Sequence, residues 1–260
     1  MIVVTSIELN GWIGSLLWPF MRIGAMLMAA PVFGARMVPV RVRLALAMTL
    51  AWILSPMVYQ DVTVINPLSA EGLMVGVQQV LVGLAMGFTL QMVFSAMVIA
   101  AQSMAMGMGL GFATAVDPQN GVQVPVIAQY YLTLATLVFL AMNGHLLIIQ
   151  VLVDSFQSLP VSAEGLSREG LWALVNWGSR MFAGAVLIAL TAMTSLLIIN
   201  LAFGVMSRAA PQLNIFGVGF PVMIGAGFIV IMLSLPGLTP HVSELMQDAF
   251  ELIGLLVAGG

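Results

Sequence analysis

Proton, metal and nucleophile chemistry need side chains that this sequence scarcely has. Its ten acids, seven arginines and two histidines are thinly spread, and it contains neither lysine nor cysteine. Without cysteine there are no disulfides and no thiolate metal ligands. His145 and His241 lie on unrelated segments, which excludes a histidine-rich metal centre. Nearly all the acids sit in polar stretches between apolar runs or in the tail, as with Asp154, Glu164, Glu244 and Glu251. No GxxxxGK[ST], HExxH or GxSxG pattern occurs. Gly107-Met108-Gly109-Leu110-Gly111 has the outline of a nucleotide loop, but no strand precedes it and its spacing is wrong. The residues therefore predict a protein without catalytic group, cofactor or metal. Two groups keep alternatives open. His145, after Asn143-Gly144, reads as a proton relay or as a hydrogen-bonded interior group. Arg22, inside an apolar run, binds an acidic residue of a neighbour, snorkels, or bonds nearby carbonyls.

The stretch that stands apart is Gln102 to Pro125, QSMAMGMGLGFATAVDPQNGVQVP. Gly107, Gly109 and Gly111 alternate there with Met104, Met106 and Met108 interleaved, and a turn follows at Asp117-Pro118-Gln119-Asn120-Gly121. Each glycine costs a helix about 1 kcal/mol against alanine, so the spacing predicts that no stable helix runs through it. The stretch is still apolar. It reads as a loop joining two membrane helices or as a moving part.

The elements around it are apolar. Hydrophobic residues make up 61% of the 260, charged residues only 7%, and the mean hydropathy is +1.11. A soluble domain carries roughly 25% charge, so the chain is an integral membrane protein or is wrapped by other hydrophobic subunits. A net charge of −3 without basic runs argues against nucleic acid. The 21 methionines suit an accommodating membrane core. No basic region precedes the first apolar run, so no cleavable signal peptide is expected.

Six apolar segments are expected, near residues 10–30, 42–59, 72–102, 124–153, 171–206 and 214–235. The third to fifth are too long for one span: 31 helical residues reach about 45 Å against a core near 30 Å. Their internal Gly and Asn predict bent or broken helices. Gly76, Gly83 and Gly87 offer close approach to another helix. Trp12, Trp18, Trp52, Trp172 and Trp177 read as interface anchors. Pro236-Gly237 is expected to end the sixth segment. Thr239 and Pro240 then start a separate amphipathic helix whose polar stripe is Glu244, Gln247, Asp248 and Glu251. Arg36, Arg41 and Arg43 put their loop on the cytoplasmic side, and alternation puts the Gly/Met strip there too. Arg208 closes the fifth segment where unpaired carbonyls suit a cation.

Three stretches together resemble one family. They are Pro31-Val32-Phe33-Gly34 with Val38 to Arg43, Gly107 to Gly121 ending in DPQNG, and Ser207 to Pro221, SRAAPQLNIFGVGFP. They are similar to the FliR/SctT family of type III secretion export-gate proteins. Val222-Met223, where injectisome relatives tend to carry a lysine, favours the flagellar branch. The resemblance implies an all-α integral membrane-type protein of bent hydrophobic hairpins, FliP-like over about 1–206 and FliQ-like over about 207–260. It implies a single copy in a hetero-oligomer with FliP and FliQ. FlhB and FlhA would be further partners, and unfolded flagellar protein the cargo. It implies residence in the bacterial inner membrane within the flagellar basal body, partly above the bilayer plane. It also implies that 106–122 is a plug in the pore. The plug or gasket residues would be Met104, Met106, Gly107, Met108, Gly109, Leu110, Gly111, Phe112, Asp117, Pro118, Asn120 and Gly121. Apolar side chains there suit a dewetted seal. Arg22, Arg208, Pro211, Gln212, Asn214 and Phe216 are expected at subunit interfaces or hairpins. A secondary transporter or small-solute channel with broken helices is the alternative, weakened by apolar segments without acids.

Overall fold

Serine side chains start two of the three longest helices. Ser69 accepts the Gly72 N–H on its Oγ at 3.0 Å, and Ser167 accepts the Gly170 N–H at 2.9 Å. Each satisfies an amide that has no partner within its helix, and each helix then carries an acid, Glu71 or Glu169, in its first turn. The computed structural model describes residues 6–34, 38–58, 65–110, 126–209 and 219–258. They form α1 (Ser6–Ala29), α2 (Val40–Val58), α3 (Ala70–Gly107), α4 (Val126–Ala141), α5 (Gly144–Ser158), α6 (Arg168–Ala209) and α7 (Phe220–Val257), with no strand among the described residues. Five of these helices are long and apolar enough to cross a membrane, and the broken pair α4–α5 makes a sixth candidate. The all-α membrane-type expectation holds.

The chain divides into two compact units. One comprises Met1–Met92, Asn143–Gly178 and Met246–Gly260; the other comprises Val93–Met142 and Ser179–Leu245. In the first, α1 packs against α2, whose buried stripe Ala47, Ala51, Leu54 and Val58 follows the 4-3-4 spacing of one helical face. α1 also packs closely on α3. A Cβ at Gly83 would overlap the Arg22 carbonyl and come within 3.0 Å of the Met26 nitrogen. One at Gly87 would meet the Met26 carbonyl at 2.8 Å. These are the close-approach glycines expected from sequence. α1 ends in a tight reversal. Val32 has φ 69, and Phe33 N–H donates to the Pro31 carbonyl at 2.8 Å, a γ-turn of the rare positive-φ kind. In the second unit, Phe94 of α3 meets Phe139 of α4 edge to face, with centroids 6.0 Å apart.

Three expectations are corrected. α3 and α6 run unbroken for 38 and 42 residues, so their internal glycines neither bend them into two nor end them. Packing outweighs a propensity cost of about 1 kcal/mol per glycine. Among the described residues the break falls in the fourth segment, at Asn143, whose φ of 58 and ψ of 27 are left-handed, a conformation Asn tolerates better than most residues. Secondly, Pro236 does not end the sixth segment. α7 continues through Pro236 and Pro240 to Val257, so the tail is not a separate helix. Each proline removes one ladder bond, and burial of Leu238, Val242, Leu245 and Met246 around them outweighs that loss. The expected amphipathicity remains: Glu244, Gln247 and Glu251 are exposed while Leu252, Ile253 and Leu256 are buried. Thirdly, Trp18 and Trp177 are buried rather than anchored at an interface; Trp12, Trp52 and Trp172 are exposed.

Candidate functional site

The Gly/Met strip begins inside a helix. Met104, Met106 and Gly107 belong to α3, and the helix is closed by Gly109. Gly109 takes φ +82, its N–H donates to the Met106 carbonyl, and the Leu110 N–H donates to the Ala105 carbonyl, each at 3.0 Å. That pair of bonds around a left-handed glycine is the Schellman ending, in which the reversed chain satisfies carbonyls the helix has left open. α3 thus reaches Gly107, beyond the Gln102 expected to end the third segment, and it stops at Gly109 rather than running through the strip. Of the three glycines, only Gly109 is described with a positive φ, and there a Cβ would also sit 3.2 Å from the Phe220 ring. Gly109→Ala is therefore expected to destabilise this end by about 1–2 kcal/mol. Chemical denaturation of the purified protein would show it as a lower midpoint with an unchanged slope.

The methionines divide by role. Met104 and Met108 are fully buried, whereas Met106 is 72% exposed. Met104 takes the Tyr131 hydroxyl on its sulfur at 3.6 Å. Met108 lies in a notch on α7: a Cβ at Gly227 would meet its Cγ and Cε at 2.5 Å. Gly107 rests on Leu196 of α6, and one turn further along Asn200 donates from Nδ2 to the Gly107 carbonyl at 3.0 Å. Tyr131, Leu196, Asn200, Phe220 and Gly227 were not singled out for this site from sequence. The visible signal was Asn200, an amide in an apolar run. Leu110 is half-buried. Gly111, Phe112, Asp117, Pro118, Asn120 and Gly121 lie outside the described residues, as do Pro211, Gln212, Asn214 and Phe216. Arg208 is exposed in the last turn of α6.

Arg22 belongs to the other unit and is fully buried. Its Nε donates to Gln79 Oε1 at 2.8 Å. Its Nη1 donates to the Ser155 carbonyl at 2.8 Å and to Ser155 Oγ at 3.1 Å, and its Nη2 to the Leu159 carbonyl at 2.9 Å. The guanidinium also lies 4.3 Å over the Phe156 ring centroid. All these acceptors are neutral. The fork ties α1 to α3 and to the end of α5, and the structure places Arg22 inside the chain rather than on a face a neighbour reaches. His145 is half-buried at the start of α5, and its Nδ1 meets no hydrogen-bonding partner among the described residues. A cavity of about 580 Å³ in this unit is walled by Leu81, Leu84, Phe88, Leu171 and Leu174, with Gln78 the polar side chain on its lining. Such a lining offers no nucleophile or base. Among the described residues no group of three His, Asp or Glu side chains is placed to hold a metal.

The described part of the strip offers an ordered helix end and no group for chemistry. The comparisons agree with the resemblance noted on the three stretches. Residues 13–249 match the model of the bacterial export proteins, family 1. The flagellar biosynthetic protein FliR of Escherichia coli (strain K12) is 38% identical over 259 residues, covering 99% of this chain and 98% of that one. FliR of Pectobacterium carotovorum is 36% identical, covering 97% of this chain and 96% of its own. FliR of Bacillus subtilis (strain 168) is 31% identical, covering 92% and 93%. With the match running through every described helix, the chain belongs to the bacterial export protein family that includes the flagellar biosynthetic proteins FliR.

Proposed function

We propose that the chain is a non-enzymatic core subunit of the flagellar protein-export gate. In this reading it enters a pore with FliP and FliQ in a single copy, contacts FlhB and FlhA, and passes unfolded flagellar protein. The first 206 residues are FliP-like and the remainder FliQ-like. Its place is the bacterial inner membrane within the flagellar basal body, partly above the bilayer plane. The strip 106–122 is the plug that keeps the idle pore closed to ions. The observation that carries the reading is the full-length family match together with the ordered helix end from which the strip departs. Long apolar faces add support. On α6, Phe182, Val186, Leu197, Ile198, Leu201 and Val205 are all more than half exposed. Faces of that extent are covered by lipid or by other subunits.

The test removes the plug and spares its anchors. Deleting Leu110 to Gly121 leaves the buried Met104 and Met108 in place. Cells carrying the assembled gate should then admit ions at rest, while FliP and FliQ still co-purify with the chain in mild detergent. Resting conductance equal to that of the parent, with export intact, rejects the plug. Recovery of the chain alone, as a stable monomer, rejects the gate assignment.

A further inference from the structure

We infer that Asn200 is a positioning residue that clamps the end of α3, so that the chain beyond Gly109 starts from a fixed point. The clamp stands on described residues of one unit; only its effect on conductance rests on the plug reading above. The Schellman ending satisfies the carbonyls of Ala105 and Met106, and the Gly107 carbonyl takes no part in its two bonds. It is met by the Asn200 amide, 93 residues away on α6. Leu196, one turn before Asn200, supports the same residue: a Cβ on Gly107 would lie 3.3 Å from its Cδ1. Leu196 and Asn200 thus form a two-part seat, apolar below and polar above. α7 closes the other side with Phe220 against Gly109 and Gly227 under Met108. In apolar surroundings an unmet carbonyl is costly, so the amide on α6 holds this end where it is. Asn200 is itself exposed at the chain surface. Its substitution therefore removes a bond without opening a cavity in the core.

The test uses the full complex and exploits a chain free of cysteine. Asn200→Leu keeps the side chain's bulk and loses the donor. The Gly109 and Leu110 amides, protected by the Schellman bonds, should exchange roughly tenfold faster in this variant, the population change that one hydrogen bond of ordinary net strength gives. Resting ion conductance should rise with them. A Gly107→Cys/Leu196→Cys pair supplies a second, independent lock. The ideal Cβ at 107 lies 3.7 Å from that of Leu196, inside the disulfide range of about 3.5–4.5 Å. Oxidising this pair in the Asn200→Leu background should return exchange and conductance to the parental values, and reduction should undo the rescue. A role in global stability alone would speed exchange in both units, so amides of α5, in the other unit, are the control and should keep the parental rate in Asn200→Leu. Unchanged amide exchange in Asn200→Leu overturns the clamp. Faster exchange with unchanged conductance, when deletion of Leu110 to Gly121 also fails to leak, leaves the clamp standing and removes the plug.

Discussion

Arg22→Met is expected to destabilise the protein by on the order of 3–5 kcal/mol, enough to deplete the assembled complex in the membrane. Desolvation argues the other way, because an apolar residue of similar size can replace a buried ion at little or no cost. The acceptors decide the sign. The Ser155 carbonyl keeps the Leu159 N–H at 3.0 Å and the Ser155 hydroxyl keeps the Leu152 carbonyl at 2.7 Å, so neither is orphaned. Gln79 Oε1 and the Leu159 carbonyl lose the donor shown for each. A buried orphan at Gln79 and a part-buried one at Leu159, each up to about 1–3 kcal/mol, with the stacking on Phe156 gone, exceed the relief of desolvation. Arg22→Lys should not rescue. A compact ammonium keeps the burial penalty, and three N–H donors on one nitrogen cannot reach the acceptors that Nε, Nη1 and Nη2 of the planar fork meet. Adding Gln79→Leu to Arg22→Met should recover about 1 kcal/mol, because one orphan goes with it. Denaturant midpoints of the purified complex measure all three. Parental stability in Arg22→Lys would overturn this account.

Reading Arg22 correctly needed distances along the chain that periodicity does not carry. Its partners lie 57, 133 and 137 residues away, and a guanidinium in an apolar run looks the same whether it faces a neighbour or its own carbonyls. Helix existence was legible because long apolar runs leave few other choices in or near a membrane. Asn143 was legible as a break, and Gly83 and Gly87 as contact points, because each departs from the side chains around it. The helix ends were not. The alternation of Gly and Met announced a special backbone but not which glycine would take a positive φ. The helix runs to Gly107, five residues past Gln102, because burial of Met104 and Met108 holds it there. Pro236 and Pro240 misled for the same reason: local chemistry favoured a stop, and the packing of Leu238 to Met246 favoured continuation. The seat under Gly107 escaped because it joins three helices, and only Asn200 among its members is unusual for its surroundings.

Gly83→Val should be more damaging than loss of any single hydrogen bond, and should act largely through Arg22. Gln79 and Gly83 are four residues apart on α3 and so lie on one face, one turn from each other. The distance that lets a Gly83 hydrogen approach the Arg22 carbonyl is the same distance that puts Arg22 Nε 2.8 Å from Gln79. A Cβ at 83 meets backbone atoms of α1, the Arg22 carbonyl and the Met26 nitrogen, and backbone cannot turn aside as a side chain can. α1 must move away, by about 1 Å on van der Waals grounds. That shift stretches the Nε bond past useful length. Overpacking costs about 1–3 kcal/mol in general; here the fork's loss adds to it. The two effects share a cause, so they should not sum. In the Arg22→Met background Gly83→Ala is expected to cost less than in the parent, with an interaction term of about 0.5–3 kcal/mol in a double-mutant cycle. Gly24, also on α1, supplies the control, since a Cβ there meets nothing within 4 Å. Gly24→Ala should leave stability unchanged or raise it by up to about 1 kcal/mol through helix propensity. Strict additivity of the Gly83 and Arg22 substitutions would mean that the close α1–α3 approach and the guanidinium fork stabilise the fold independently.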